Sequence, residues 1–127
     1  MMRKPLLSSQ LARYLERHQP DAPVRLGVIS NPFSRTNARA RLHDRQIPRL
    51  LVSPQDAVST RTSSELDEAL RYLLFDRQIN VLGLNGGDGT LHHALNRLIA
   101  LVSDIQEAHS IELPPPVLLF LNGGTLN

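Results

Sequence analysis

The chain contains no cysteine and no tryptophan. Without cysteine it can form neither a disulfide framework nor a thiolate metal centre, which fits a reducing compartment and makes the cytoplasm the default location. Aromatic residues make up only 4% of the 127 positions, too few for a platform on which nucleic-acid bases would stack. A formal charge of +2 is equally too small to drive binding to a phosphate backbone. DNA and RNA are therefore not expected partners. Long apolar runs are missing as well: none approaches the roughly 20 residues that cross a bilayer, and residues 1–10 lack the apolar core of a signal peptide. Membrane contact, if any, would be peripheral, at the inner face. No repeat or low-complexity stretch interrupts the chain, whose length suits one domain with a real core.

What the chain does have is a glycine-rich turn between two patterned segments. Residues 79–84 are apolar apart from Asn80 and read as a strand, and Leu91, Ala94, Leu95, Leu98 and Ile99 recur at helical spacing. Between them lies Asn85-Gly86-Gly87-Asp88-Gly89-Thr90. Glycine lacks a Cβ, so Gly86, Gly87 and Gly89 are expected to take positive φ and to let main-chain N–H groups approach a ligand. A helix opening near 88–90 adds N–H groups without intrahelical partners and the positive end of its dipole. That combination is an anion site, usually for phosphate. Asp88 among these donors would repel a bare phosphate, so it either binds a metal ion or takes a proton from a nucleophile; otherwise it is only the N-cap of the helix. Two common phosphate loops are excluded, because there is no GxxxxGK[ST] and His92 stands where GxGxxG needs its third glycine.

The remaining segments alternate in the same way. Leu7, Leu11, Ala12 and Leu15 predict a short amphipathic helix that docks on the domain rather than anchoring in lipid. Residues 24–30 predict a buried strand ended by Asn31-Pro32; Asn31 then stands where ligands dock in open α/β sheets, or merely starts a turn. Arg35, Arg39, Arg41 and Arg45 form either a patch for phosphate or an anionic surface, or a solvated helix face. Residues 48–53 predict a second strand. Thr60 follows in the loop, and Thr62-Ser63-Ser64-Glu65 has capping-box spacing ahead of Leu66, Ala69, Leu70, Leu73 and Leu74. His92 and His93 point about 100° apart on a helix and cannot readily share one metal ion, so both read as surface histidines. Residues 103–116 read as a helix end and linker, and 117–121 as a fourth strand. This order implies an α/β fold with an open, mainly parallel sheet, flanking helices and right-handed crossovers, whose loops gather at the carboxyl edge as one crevice.

Three ordered motifs add a family resemblance over residues 24–127. Gly86-Gly87-Asp88-Gly89-Thr90 resembles the signature loop of the diacylglycerol kinase and sphingosine kinase superfamily, and is similar also to that of NAD kinases and phosphofructokinases. Ile29-Ser30-Asn31-Pro32-Phe33-Ser34 resembles the lipid kinases' NPxSG element, and Gly123-Gly124-Thr125-Leu126-Asn127 their GTxN element. The resemblance implies an ATP-binding α/β domain over residues 23–127, truncated at its C-terminus, behind a helical extension over 1–22. It implies ATP and Mg²⁺ as cofactors and transfer of the γ-phosphoryl group to a lipid hydroxyl, such as that of diacylglycerol or a sphingoid base. It implies Asp88 as the catalytic and metal-holding residue, with Asn31, Thr60, Gly86, Gly87, Asp88, Gly89, Thr90, Gly124 and Thr125 against the nucleotide. The family's second, β-rich domain has no motif here, so the fragment alone is expected to be inactive. The chain departs from the pattern at Arg35, where glycine is frequent, at His92-His93, where Asn-Glu is common, and at Asn122-Gly123, which replace a proline-containing lead. An NAD kinase-type phosphotransferase is the alternative, although it leaves Asn31-Pro32-Phe33-Ser34 unexplained; a non-catalytic nucleotide-binding module or truncated product is the third reading. The oligomeric state is not fixed by any of these patterns.

Overall fold

Four short strands alternate with helices through the residues that the computed structural model describes, 5–31 and 52–121. In chain order they are α1 (Ser8–Arg17), β1 (Leu26–Ser30), a 3₁₀ turn (Pro54–Asp56), β2 (Ala57–Ser59), α2 (Ser63–Arg71), β3 (Val81–Asn85), α3 (Asp88–His109) and β4 (Val117–Leu121). The strands form one sheet in the order β2-β1-β3-β4, and every pairing is parallel. Ile29 pairs with Val58 on one side and Leu84 on the other, and Leu84 pairs with Phe120, so these residues share a face. Ile29, Leu82 and Leu84 on that face join Leu66 and Leu70 of α2 and Ala94, Leu98 and Leu101 of α3 in one hydrophobic core. This is the open parallel α/β plan expected from the alternation.

Helix α2 starts as the sequence predicts, with a small shift in its cap. Thr62 Oγ1 accepts a hydrogen bond from the Glu65 N–H (3.1 Å), but the Glu65 carboxylate accepts from the N–H of Arg61 (2.7 Å), one residue before the cap. Its apolar stripe runs on through Leu73 and Leu74, which lie in a π-helical turn (Tyr72–Asp76) and are fully buried. Helix α1 docks on this turn, as expected. Gln10 Nε2 donates to Asp76 Oδ1 (2.8 Å), and Gln78 Nε2 donates to the Gln10 carbonyl (3.1 Å). Tyr14 stacks on His18 at 3.9 Å between ring centroids and donates its hydroxyl to the Pro114 carbonyl (2.5 Å). Burial raises the Tyr14 phenol well above its usual range and holds the His18 imidazole below its own.

Four sequence expectations need correction. The buried stripe of α1 is Leu11 and Tyr14 with Leu6 ahead of it, whereas Leu7 is 65% exposed and Ala12 faces solvent, because the first turn begins one residue after Leu7. A strand over 48–53 is not found where it can be seen: 48–51 lie outside the described residues, and Val52 and Ser53 lead into the 3₁₀ turn. Pro54 has no N–H to give a ladder, and Asp56 is held by Ser53 Oγ (3.1 Å) and Arg77 Nε (2.8 Å). The second described strand is therefore β2. The third strand begins at Val81 rather than Ile79, whose N–H bonds the Leu73 carbonyl (3.0 Å) instead of a neighbouring strand. Finally, α3 continues through residues 103–109 because Ile105 extends its buried stripe; it ends where Ser110 turns left-handed at φ 53°. Among the described residues, no helix is long and apolar enough to cross a membrane.

One side chain ties the amino end of the sheet together. Asn80 Nδ2 donates to the carbonyls of Arg17 and Pro23 (both 2.9 Å), and Asn80 Oδ1 accepts from the Arg25 N–H (2.7 Å). Its own carbonyl accepts from the Val117 N–H (3.0 Å), which starts β4. Asn80→Ala would leave two carbonyls and an N–H short of a partner around a residue that is 9% exposed. It is expected to cost about 3 kcal/mol, read as a lower urea midpoint at unchanged slope.

Candidate functional site

The carboxyl ends of β1, β2 and β3 deliver four sequence-predicted residues to one place. Asn31 follows β1, Thr60 follows β2, and Gly86 and Gly87 follow β3. The ends are pinned to one another: the Asn31 N–H donates to the Asn85 carbonyl (3.2 Å), and the Thr60 N–H to the Ser30 carbonyl (3.0 Å). Above them opens a cavity of about 410 Å³ lined by, among others, Asn31, Thr60, Ser63, Gly89, Thr90 and His93. Gly124 and Thr125, and the arginines at 35, 39, 41 and 45, lie outside the described residues.

The glycine loop reaches this cavity by a different physical route from the one expected. Gly87 has φ −79° and ψ 175°, an extended backbone open to any residue, and neither Gly86 nor Gly89 is left-handed. Positive φ is therefore not why glycine stands here. At Gly86 the reason is space, since a Cβ would sit 2.9 Å from Thr90 Cγ2. That close approach sets Thr90, whose Oγ1 accepts a hydrogen bond from Asn31 Nδ2 (3.0 Å). At Gly89 the case is reversed: a Cβ would meet nothing within 4 Å, although alanine would suit a helix better. No contact within the described protein requires a glycine at 89.

Asp88 is not the cap of α3. The N-cap is Gly87, which has no side chain to offer, and Asp88 is the exposed first residue of the helix. The first intrahelical bond here runs from the Leu91 N–H to the Gly87 carbonyl (2.9 Å), so the N–H groups of Asp88, Gly89 and Thr90 come before the helical ladder. Helix α2 opens toward the same cavity. Its Glu65 and Leu66 N–H groups are taken by Thr62, and those of Ser63 and Ser64 precede them. Two positive helix ends thus face one crevice. Among the described lining residues there is no carboxylate, and Arg61 and His93 supply basic groups.

Sequence reasoning missed the α2 side of the cavity; it read His92 and His93 as surface histidines near the ligand end, and both are exposed, but it gave His93 no partner. His92 is exposed, but His93 Nε2 shares a hydrogen bond of 2.8 Å with Ser63 Oγ and so bridges the starts of α3 and α2. One helical turn further on, Arg97 binds Asp67 through two bonds of 2.7 Å. The signal was present: Gly89, His93 and Arg97 are spaced by four and share a helix face, which points the face at whatever Gly89 meets. The two adjacent histidines do not share a site. Among the described residues, no group of three or more His, Cys, Asp or Glu could cage a metal ion.

The comparisons with known proteins speak for the same fold and for a family. No curated protein sequence matches the chain. The crystal structure of a protein assigned as a diacylglycerol kinase, from Bacillus anthracis str. Sterne, is similar with a TM-score of 0.52 over 81% of this chain, at 19% identity. At that identity the likeness speaks for the fold, an open parallel α/β sheet flanked by helices. The chain spans 32% of the length of that protein. A family model, the diacylglycerol kinase catalytic domain, matches residues 25–127, from the start of β1 through the glycine loop and beyond β4. The chain belongs to the diacylglycerol kinase catalytic domain family.

Proposed function

We propose that this chain is the ATP-binding part of a lipid kinase, which transfers the γ-phosphoryl group of ATP to a lipid hydroxyl such as that of diacylglycerol or a sphingoid base. The observation that carries the reading is the cavity at the carboxyl edge of the sheet, where two helix starts present N–H groups and Gly89 leaves room for a ligand. A polyanion suits that environment, and the cavity lies in the size range of small-molecule sites. The N–H groups of Gly89 and Thr90 would hold phosphate oxygens. Asn31 would orient Thr90 through their hydrogen bond, and Thr60 would close the floor.

Mg²⁺ usually takes one or two carboxylates plus substrate phosphates rather than a protein cage. A single exposed Asp88 beside an anion cradle fits that pattern. When bound, the ion would neutralise phosphate charge; Asp88 would hold it, or accept the proton of the acceptor hydroxyl. The chain corresponds to about a third of the similar structure, so the groups that bind the lipid are not assigned to residues here. We place the protein in the cytoplasm, with peripheral contact at the inner membrane face where a lipid acceptor would be met.

Two sets of variants test this. Gly89→Ala is expected to stabilise the free protein by about 1 kcal/mol, since alanine replaces glycine in a helix with open space around its methyl group. It should weaken ATP binding about tenfold, the equivalent of ~1.4 kcal/mol, by filling the approach to the amides. Gly86→Val should instead destabilise by about 1–3 kcal/mol through its clash with Thr90. Thermal melts and calorimetric titration separate these effects; unchanged ATP affinity in Gly89→Ala would remove the loop from nucleotide binding.

Asp88→Asn removes the charge and keeps the shape. It should tighten binding of metal-free ATP, because a like charge is lost, and weaken binding of Mg·ATP by about tenfold or more. Two unchanged affinities would take Asp88 out of the site.

A further inference from the structure

The hydrogen bond between Ser63 Oγ and His93 Nε2 joins the first residue of α2 to the second turn of α3, and both residues line the cavity. It lies one helical turn, about 6 Å along the axis, from Gly89. These residues line one cavity with Gly89 and Thr90, so a nucleotide with its phosphates on the amides at the start of α3 and the rest of its length along α3 would carry its sugar past this pair. We propose that Ser63 and His93 form the sugar-facing wall of the cavity and make the site indifferent to the 2′-hydroxyl of the nucleotide. This rests on the nucleotide-binding reading above and deepens it.

The argument is one of donors and acceptors. A neutral imidazole carries one donor and one acceptor nitrogen, and a hydroxyl is both. If Nε2 accepts the Ser63 proton, Ser63 Oγ keeps lone pairs that accept from a ligand hydroxyl. If Nε2 donates to Ser63 Oγ, the serine proton is free to point at a ligand oxygen. The pair adapts to a hydroxyl, an ether oxygen or bridging water without leaving a polar atom unmatched. Sites that demand a ribose diol use a carboxylate, an acceptor that needs the sugar's hydroxyl protons. Among the described residues, no carboxylate lines this cavity.

Specificity of this kind is set by what a missing hydroxyl leaves unpaired. In the present pair nothing is left unpaired, because the serine hydroxyl turns. Placing an acceptor-only side chain at 93 should create the demand that the natural residue lacks. His93→Gln, which retains both a donor and an acceptor, should not. Both substitutions are on an exposed helix position, where the fold tolerates them.

The experiment is calorimetric titration of the full chain and its variants with ATP and with 2′-deoxy-ATP. The unaltered chain and His93→Gln are expected to bind the two nucleotides within about threefold of each other, while His93→Glu should prefer ATP by about tenfold, the loss of one hydrogen bond to a charged group. Ser63→Ala should weaken both nucleotides alike. A tenfold preference for ATP in the unaltered chain, or equal binding of both by His93→Glu, would overturn the proposal while leaving nucleotide binding intact. Failure of the unaltered chain to bind either nucleotide would overturn the nucleotide-binding reading itself, and this proposal with it.

Discussion

The parallel register of β1 against β3 is the constraint on which the rest of the structure depends. It sets Ser30 beside Asn85, so that both strands end at the same level. From that level the Asn31 N–H reaches the Asn85 carbonyl, and the Ser30 carbonyl receives the Thr60 N–H from the end of β2. A slip of one residue would turn Ile29, Leu82 and Leu84 away from α2 and α3, exposing the apolar face that the helices bury. Core packing and site geometry are therefore fixed by the same ladder. Asn80 secures the opposite end of that ladder, where α1, β1, β3 and β4 meet.

The crevice above this edge draws its electrostatic character from main chain more than from side chains. Two helices open onto it, and their first N–H groups have no place in the helical ladder. Arg97 of α3 and Asp67 of α2 are paired with each other away from it, through a bidentate contact. The two ends of the glycine loop have opposite roles. Gly86 is needed because protein atoms are too close, and Gly89 is notable because, among the described residues, none are close. The first condition positions Thr90 against Asn31; the second leaves the approach to the amides clear.

Much of this was legible in the sequence, and the misreadings have physical causes. The strand at 117–121 was read with its observed bounds, because three prolines before it and Asn122-Gly123 after it delimit an uninterrupted apolar run. The stripe of α2 was equally plain, whereas that of α3 was read in part: Ala94 and Leu98 are buried, but Ile99 is 55% exposed and Leu101 takes the buried position. The loop after β3 was read as a ligand-approach site on the ground of positive φ, and that ground does not hold: glycine can be chosen for proximity as well as for backbone freedom, and a sequence does not distinguish the two. The alternative reading of Asp88 as an N-cap fails because the chain turns one residue earlier, at Gly87. Residues 103–109 looked like a helix end because their polar side chains are the exposed face of the same helix, with Ile105 alone marking the buried side. His93 is exposed, as read, but its bond to Ser63 went unseen because that partner is thirty positions away and reached only through the fold.

The central claim is that the anion cradle is formed jointly by the starts of α3 and α2 at the carboxyl edge of the sheet. Amide chemical-shift mapping during titration with ATP tests it most directly. The account predicts that the largest changes fall on Asn31, Thr60, Ser63, Ser64 and the run from Gly86 to Thr90, with α1 and the far end of α3 unmoved. Changes centred on α1 or on the exposed face of β4, or none at saturating ATP, would contradict it.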